Sequence, residues 1–320
     1  MIWFLSILIF ICLGWWGSDI YKSYLNKDLS LPSWNKPKPL EKYTIENLSK
    51  TEFKPSKINI NDNIFDFEVS GKKVTGLVNL PEVTNVPIVI LLRGYVDQSI
   101  YQTGMGTKRV GEYFAKSGYI TLAPDFLGYG GSDSESENIF ESRFQTYTTT
   151  LTLLKSINKE NFPSWDGENI FIWAHSNGGQ IALTVLTILG ESNPDLIRAT
   201  VLWAPVTEAF PYSVLYYTNE SDDGGKFIRQ KLSKFEEDYD VDRFSFTKYL
   251  DKINASIEYH WGTADDAISS EWRDRFLKKM KVLEKDITNY NHSGADHNMN
   301  PLWSEVILKT FQFFEKNKRT

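Results

Sequence analysis

The chain of 320 residues is 41% hydrophobic and 24% charged, which excludes a disordered polymer and is enough to bury a core without staples. A net charge of −6 leaves no basic field for nucleic acid, so no nucleic-acid partner is expected. The single cysteine, Cys12, excludes an internal disulfide.

From Ile2 to Ser18 the chain is uncharged and rich in Ile, Leu, Phe and Trp; Asp19 is the first charge. That length is at the short end of a bilayer span, and Trp15 and Trp16 stand where an interfacial aromatic belt belongs. No Lys or Arg precedes the run, no clear small-x-small cleavage site follows it, and Cys12 has no small residue just before it. Residues 1–18 are therefore expected to be an uncleaved signal-anchor, with a cleaved signal or an apolar terminal helix as the other readings. The protein would be membrane-anchored or exported through residues 2–18, and Lys22 and Lys27 beside Asp19 and Asp28 leave its orientation open. Residues 19–57 are polar and broken by Pro32, Pro37, Pro39 and Pro55, which predicts a tether to a body over 58–320.

In that body, Ile64–Val69 and Lys73–Leu80 alternate and are joined by Ser70-Gly71, which predicts an antiparallel hairpin. Short continuous apolar runs then alternate with helical patterns. Strands are expected at Ile88–Leu92, Tyr119–Ala123, Ile170–Ala174, Thr200–Ala204, Ala255–His260 and residues 286–291. Helices are expected at Thr107–Lys116, along the face of Phe144, Tyr147, Leu151 and Leu154, and at Gly179–Leu189, Ser269–Leu283 and Pro301–Phe314. The fold class is α/β: a mostly parallel sheet covered by helices on both faces, opened by the antiparallel hairpin. Residues 206–254 are too long for a simple connection and are expected to form a lid-like insertion.

Phe171-Ile172-Trp173-Ala174-His175-Ser176-Asn177-Gly178-Gly179 runs from a buried strand through small residues into an apolar helix. A nucleophilic serine on such a turn needs small residues two before and two after it, here Ala174 and Gly178. The base is found by elimination among four histidines. His175 lies inside the turn, and His260 ends a strand and reads as structure or a pocket wall. His292 and His297 lie in the last loop, where the chain order Ser, acid, His places the base, and His297 is chosen over His292. Asp265 is the expected acid, preferred over Asp266, which is left to cap the following helix. Backbone N–H groups of Asn177 and Tyr95 are the expected oxyanion donors, with Gly94 letting the chain approach the substrate. Arg93 is expected under that loop as an ion-pair partner, for example of Asp125, and Tyr95, Trp203 and Trp261 are candidate pocket walls. No metal-ligand spacing and no phosphate loop occurs, so no cofactor is expected.

Five stretches carry a family resemblance: Leu91-Leu92-Arg93-Gly94-Tyr95, residues 123–132, His175-Ser176-Asn177-Gly178-Gly179, Gly262-Thr263-Ala264-Asp265-Asp266 and Gly294-Ala295-Asp296-His297-Asn298. With them the chain resembles the catalytic domain of the prolyl oligopeptidase family and its related single-domain esterases. The resemblance implies an α/β-hydrolase fold and a Ser176, Asp265, His297 triad, in agreement with the elimination. It implies a small ester or peptide-like substrate, but the β-propeller of the large peptidases would need several hundred residues upstream of Ile58. The expected activity is hydrolysis of a carboxylic ester or small amide through an acyl-enzyme on Ser176. The other readings are a prolyl-oligopeptidase-like peptidase, a thioesterase or acyltransferase, and a catalytically silent adhesion domain.

Overall fold

Asn59–Asn61 (β1), Ile64–Val69 (β2) and Lys72–Asn79 (β3) form an antiparallel edge, with Ser70 and Gly71 both at positive φ in the expected hairpin turn. The computed structural model describes residues 37–218 and 223–319. Six further strands are parallel to one another: Val86–Leu92 (β4), Ile120–Pro124 (β5), Trp165–His175 (β6), Ala199–Trp203 (β7), Ser256–Gly262 (β8) and Ile287–His292 (β9). The sheet order is β1-β2-β3-β5-β4-β6-β7-β8-β9.

Every residue of β4, β5 and β7 is buried, which is why these strands read as continuous apolar runs. Alternate side chains of β4 enter two separate cores: Ile88, Ile90 and Leu92 in one, Val89 and Leu91 in the other. The helices are Ile45–Lys50 (α1), Lys108–Lys116 (α2), Ile139–Ser156 (α3), Asn177–Ser192 (α4), Tyr212–Thr218 (α5), Lys226–Asp238 (α6), Ser270–Val282 (α7) and Trp303–Asn317 (α8). On the first core lie α3 and α4, through Phe144, Leu151, Ile181 and Val185. On the second lie α2 and α8, through Val110, Phe114, Val306 and Phe314. Parallel register brings the strand ends to one edge: Leu92 pairs with Ala174, His175 with Trp203, Trp203 with His260 and Gly262 with His292. The loops that leave this edge carry the site.

One sequence boundary shifts. The chain divides into Met1–Pro39 and a unit Leu40–Thr320, so the body begins earlier than residue 58. Leu40, Tyr43, Ile45 and Leu48 are buried, and Thr44 caps α1 by accepting from the Asn47 N–H at 3.3 Å. Prolines on both sides of this short apolar repeat made the region read as a tether. The expected segment 1–18 and tether residues 19–36 lie outside the described residues. Among the described residues no helix is long and apolar enough to cross a membrane.

The 206–254 insertion holds α5, α6 and three short 3-10 turns, among them Val241–Phe244. It is stitched to α3 by aromatic rings: Phe140 lies 5.0 Å from Phe235, and Phe144 lies 5.1 Å from Phe244. Tyr212, Tyr216 and Phe227 on its outer side are exposed.

Candidate active site

Ser176 stands between β6 and α4 at φ 55°, ψ −121°, a left-handed backbone for a residue with a side chain. Such a conformation costs on the order of 1–3 kcal/mol and persists only where the surroundings over-determine it. Here the Ser176 N–H donates to the Trp203 carbonyl at 3.0 Å, and its own carbonyl accepts from Gly179 and Val206, each at 2.9 Å. The tightness of the turn explains its glycines. A Cβ on Gly178 would lie 2.0 Å from the Leu92 carbonyl oxygen, and one on Gly179 would lie 2.3 Å from the Pro205 Cβ. The loop after β4 comes just as close, since a Cβ on Gly94 would lie 3.0 Å from Ser176 Cβ and 3.5 Å from its Oγ.

The expected oxyanion donors, Asn177 and Tyr95, stand next to the serine turn and to Gly94. Asn177 is the first residue of α4, so its N–H is an orphan donor at a helix N-terminus. Tyr95 follows Gly94 and is 73% exposed. Tyr95 and Asn177 together line a cavity of about 890 Å³ with Gln98, Tyr129, Arg143 and Ile181. Among the described residues of the 206–254 insertion, none lines this cavity.

Asp265 and His297 come together from the loops after β8 and β9. His297 Nδ1 lies 3.1 and 3.0 Å from the two Asp265 oxygens, with the Asp265 side chain fully buried and that of His297 18% exposed. A carboxylate on Nδ1 sets the proton there and leaves Nε2 as the free lone pair. The two loops are tied by Thr263 N–H to the His292 carbonyl at 2.9 Å, Ala264 N–H to the Ala295 carbonyl at 2.9 Å and Gly294 N–H to Thr263 Oγ1 at 2.8 Å. Gly262 makes this possible, because its Cβ would fall 2.2 Å from the Ala295 carbonyl oxygen. Asp265 Oδ1 also accepts from the N–H groups of Ala267 and Ile268, which fixes the carboxylate. Asp266 is exposed and does not cap α7; Ser269 does, accepting from Glu271 N–H at 3.3 Å.

Other expected residues lie elsewhere. Trp203 is buried, donates to Thr310 Oγ1 at 3.0 Å and faces a different cavity, while Trp261 is buried under Arg273 at 3.9 Å. Arg93 makes no ion pair with the Asp125 carboxylate. It donates to the Asp125 main-chain carbonyl at 3.1 Å and stacks on Tyr129 at 4.1 Å, while Thr75, Tyr101 and Thr103 hydroxyls occupy the carboxylate at 2.6–2.8 Å. Those donors come from two segments distant from Asp125 in sequence, so no local pattern announces them.

Sequence reasoning also missed two roles of histidine. His175 Nε2 lies 3.0 Å from the His297 carbonyl oxygen, which can only accept, so His175 carries its proton on Nε2 and braces the loop of His297. Desolvation of its ring, with repulsion from His297 as the second cause, pushes the His175 pKa down to about 4. Away from this cleft, Glu258, His260 and His292 form a buried chain, with His260 Nε2 2.8 Å from Glu258 and His260 Nδ1 2.9 Å from His292 Nε2. Period-two alternation on β8 was the only sequence signal that Glu258 and His260 share a face.

A family model described as serine aminopeptidase, S33, matches residues 87–258. No curated protein matches the sequence. Among solved structures, Est1E from Butyrivibrio proteoclasticus with ferulic acid bound is 19% identical, with a TM-score of 0.56 over 79% of this chain and 98% of that one. The acylaminoacyl peptidase of Pyrococcus horikoshii is 15% identical, with a TM-score of 0.58 over 82% of this chain and 42% of that one. Dipeptidyl peptidase 4 of Porphyromonas gingivalis is 15% identical, with a TM-score of 0.56 over 85% of this chain and 37% of that one. At these identities the likeness is one of fold, the α/β-hydrolase fold.

Proposed function

Since the chain belongs to the serine aminopeptidase S33 family of α/β hydrolases, we propose that it is a serine hydrolase that cleaves a carboxylic ester or a small peptide-like amide through an acyl-enzyme on Ser176. The observation that carries this reading is the left-handed Ser176, held by glycines on both sides next to a buried Asp265–His297 pair. In the reaction His297 Nε2 takes the Ser176 proton as Oγ attacks the carbonyl carbon. Asp265 holds the imidazole tautomer and steadies the imidazolium. The tetrahedral oxyanion is received by the N–H groups of Asn177 and Tyr95, a stabilisation for which one donor is typically worth about 10²–10³ in rate. His297 then gives its proton to the leaving alcohol or amine, and water attacks the acyl-enzyme by the reverse sequence.

The cavity beside Tyr95 and Asn177 receives the acyl group. Its mixture of Tyr129, Arg143 and Ile181 supports an acyl group with both an apolar body and a polar end. The experiment is covalent labelling with a fluorophosphonate, followed by p-nitrophenyl esters run beside aminoacyl-p-nitroanilides. Wild type labels and turns over one of these series, and Ser176→Ala does neither. Equal labelling of both proteins would sink the reading. Residues 2–18 would attach the enzyme to a membrane, tested by whether their deletion moves the protein from the membrane pellet to the soluble fraction.

A further inference from the structure

Among the described residues, neither the Asn177 N–H nor the Tyr95 N–H has a hydrogen-bond partner. Asn177 takes its direction from the helix it begins. Tyr95 lies in a loop, so the direction of its N–H is set by the peptide plane it shares with the Gly94 carbonyl. That peptide is trans. In a planar trans peptide the C=O and the N–H point in opposite directions. Whatever holds the Gly94 carbonyl therefore aims the Tyr95 N–H.

Arg93 holds it. Its Nη1 donates to the Gly94 carbonyl at 3.0 Å and its Nη2 to the Asp125 carbonyl at 3.1 Å. The guanidinium packs on the rings of Tyr101 at 4.5 Å and Tyr129 at 4.1 Å, and the residue is only 5% exposed. Tyr129 also donates to the Val96 carbonyl at 3.1 Å, on the far side of Tyr95. The Asp125 carboxylate is occupied by the hydroxyls of Thr75, Tyr101 and Thr103, so main-chain oxygens and ring faces hold the buried cation. The strand order gives this clamp its direction. β4 runs between β5, which leads into Asp125, and β6, which leads into Ser176. Arg93 draws the Gly94 carbonyl toward the β5 side and so turns the Tyr95 N–H toward the β6 side. Gly94 already lies against the serine there, the position of its missing Cβ being 3.0 Å from Ser176 Cβ.

We propose that Arg93 is the positioning residue of the oxyanion site: it fixes the Gly94–Tyr95 peptide so that the Tyr95 N–H faces Ser176, and its charge makes that N–H a stronger donor. The second effect follows from polarisation. A carbonyl that accepts from a cation draws electron density through its peptide, and the N–H at the other end becomes more positive. Burial keeps the cation's field from being screened by water. Arg93 itself touches no reacting atom. The inference rests on the acyl-enzyme reading of Ser176. As Oγ attacks, the carbonyl oxygen gains the charge that the two donors receive, so their placement matters more in the transition state than in the bound substrate. The signature of Arg93 is therefore a loss in kcat with KM nearly unchanged.

The test compares the full wild-type chain with Arg93→Met, which keeps an unbranched side chain between the two rings, and Arg93→Lys, which keeps the charge. Turnover is read on the p-nitrophenyl ester that wild type cleaves fastest. Inhibition is read with the trifluoromethyl ketone of the same chain length and with its secondary alcohol. Ser176 Oγ adds to the ketone carbon, its proton passes to His297, and the ketone oxygen becomes an oxyanion; the alcohol cannot form this adduct. Arg93→Met lowers kcat about 100-fold with KM within about three-fold, and Arg93→Lys lies about ten-fold below wild type. The ketone weakens by the same factors and the alcohol binds as before. Melting curves verify folding, and if Arg93→Met does not fold, the same comparison on Arg93→Lys decides. The proposal is overturned if the folded variant keeps kcat within about three-fold of wild type, if KM rises with kcat unchanged, or if ketone and alcohol weaken equally, as a collapsed cleft would give. Wild type that binds the ketone no more tightly than the alcohol overturns the acyl-enzyme reading itself. Tight ketone binding by both wild type and Arg93→Met overturns the role of Arg93 alone.

Discussion

Asp265–His297 and Glu258–His260 are the same chemical pair, a carboxylate within 3.0 and 2.8 Å of an imidazole, placed on neighbouring loops and strands of one sheet. The first keeps His297 partly open to the cleft, whereas in the second the His260 side chain is fully buried and Glu258 is only 5% exposed. Sealing changes the chemistry. Burial pushes Glu258 up to about 7 against the pull of Lys309, and pushes His260 down to about 3. Desolvation thus outweighs attraction and favours the neutral form of both partners. A carboxylate–imidazole pair is consequently not a site by itself. Access to the cleft and a neighbouring left-handed serine are what set Asp265–His297 apart from the sealed pair.

The sharpest way to break this contrast is to exchange the roles by mutation. His297→Ala lowers kcat by about 10⁴–10⁶ with little change in melting temperature. His292→Ala leaves kcat within about ten-fold but removes one of the two partners of buried His260, at about 1–3 kcal/mol, seen as a lower denaturation midpoint. If both variants lose turnover equally, the contrast fails. Asp265→Asn comes next, with kcat down by about 10⁴ because the amide no longer imposes the Nδ1–H tautomer. Gly94→Ala is milder. Its Cβ meets Ser176 Cβ at 3.0 Å and His175 Nδ1 at 3.3 Å, so a small displacement of the serine lowers kcat about 10–100-fold with KM nearly constant.

The smallest effect is a pH profile of stability. Glu258 binds its proton more tightly folded than unfolded, about 7 against an ordinary 4.5, so its contribution is full below 4.5 and is lost as pH rises through 7. Glu258→Gln removes that loss, and its stability relative to wild type rises between pH 5 and 8 by up to about 3 kcal/mol, measured by urea unfolding. His175, His260 and His292 run the other way. Depressed from 6.5 to about 4, 3 and 4, they favour the fold as neutral rings and make stability fall as the pH drops below 6.5. A flat profile for the Gln variant relative to wild type contradicts the burial of an ionisable Glu258.

Much of this was legible from local pattern. The apolar runs of β4, β5 and β7 signalled buried parallel strands because both their faces are covered, and Ala174-His175-Ser176-Asn177-Gly178 signalled the turn because only small residues fit beside it. Chain order sufficed to choose Asp265 and His297, which the fold then brings into contact. The body's start at Leu40 was less legible, because prolines masked a single turn of apolar spacing. Trp203 and Trp261 illustrate a different limit. An aromatic residue at a strand end reads the same whether its ring meets solvent or core, and only the helices laid across it decide.

The amino-acid sequence by itself determined the α/β class, the order of strands and helices along the chain, and the small-residue turn at Ser176, since all of these follow from spacing within a few residues or from order along the chain. Tertiary structure alone decided that His175 braces His297 and that Glu258, His260 and His292 share one sealed chain. Those facts depend on strand register and on which helix covers which face. Contacts of that kind join residues tens to hundreds of positions apart, and no local preference encodes them.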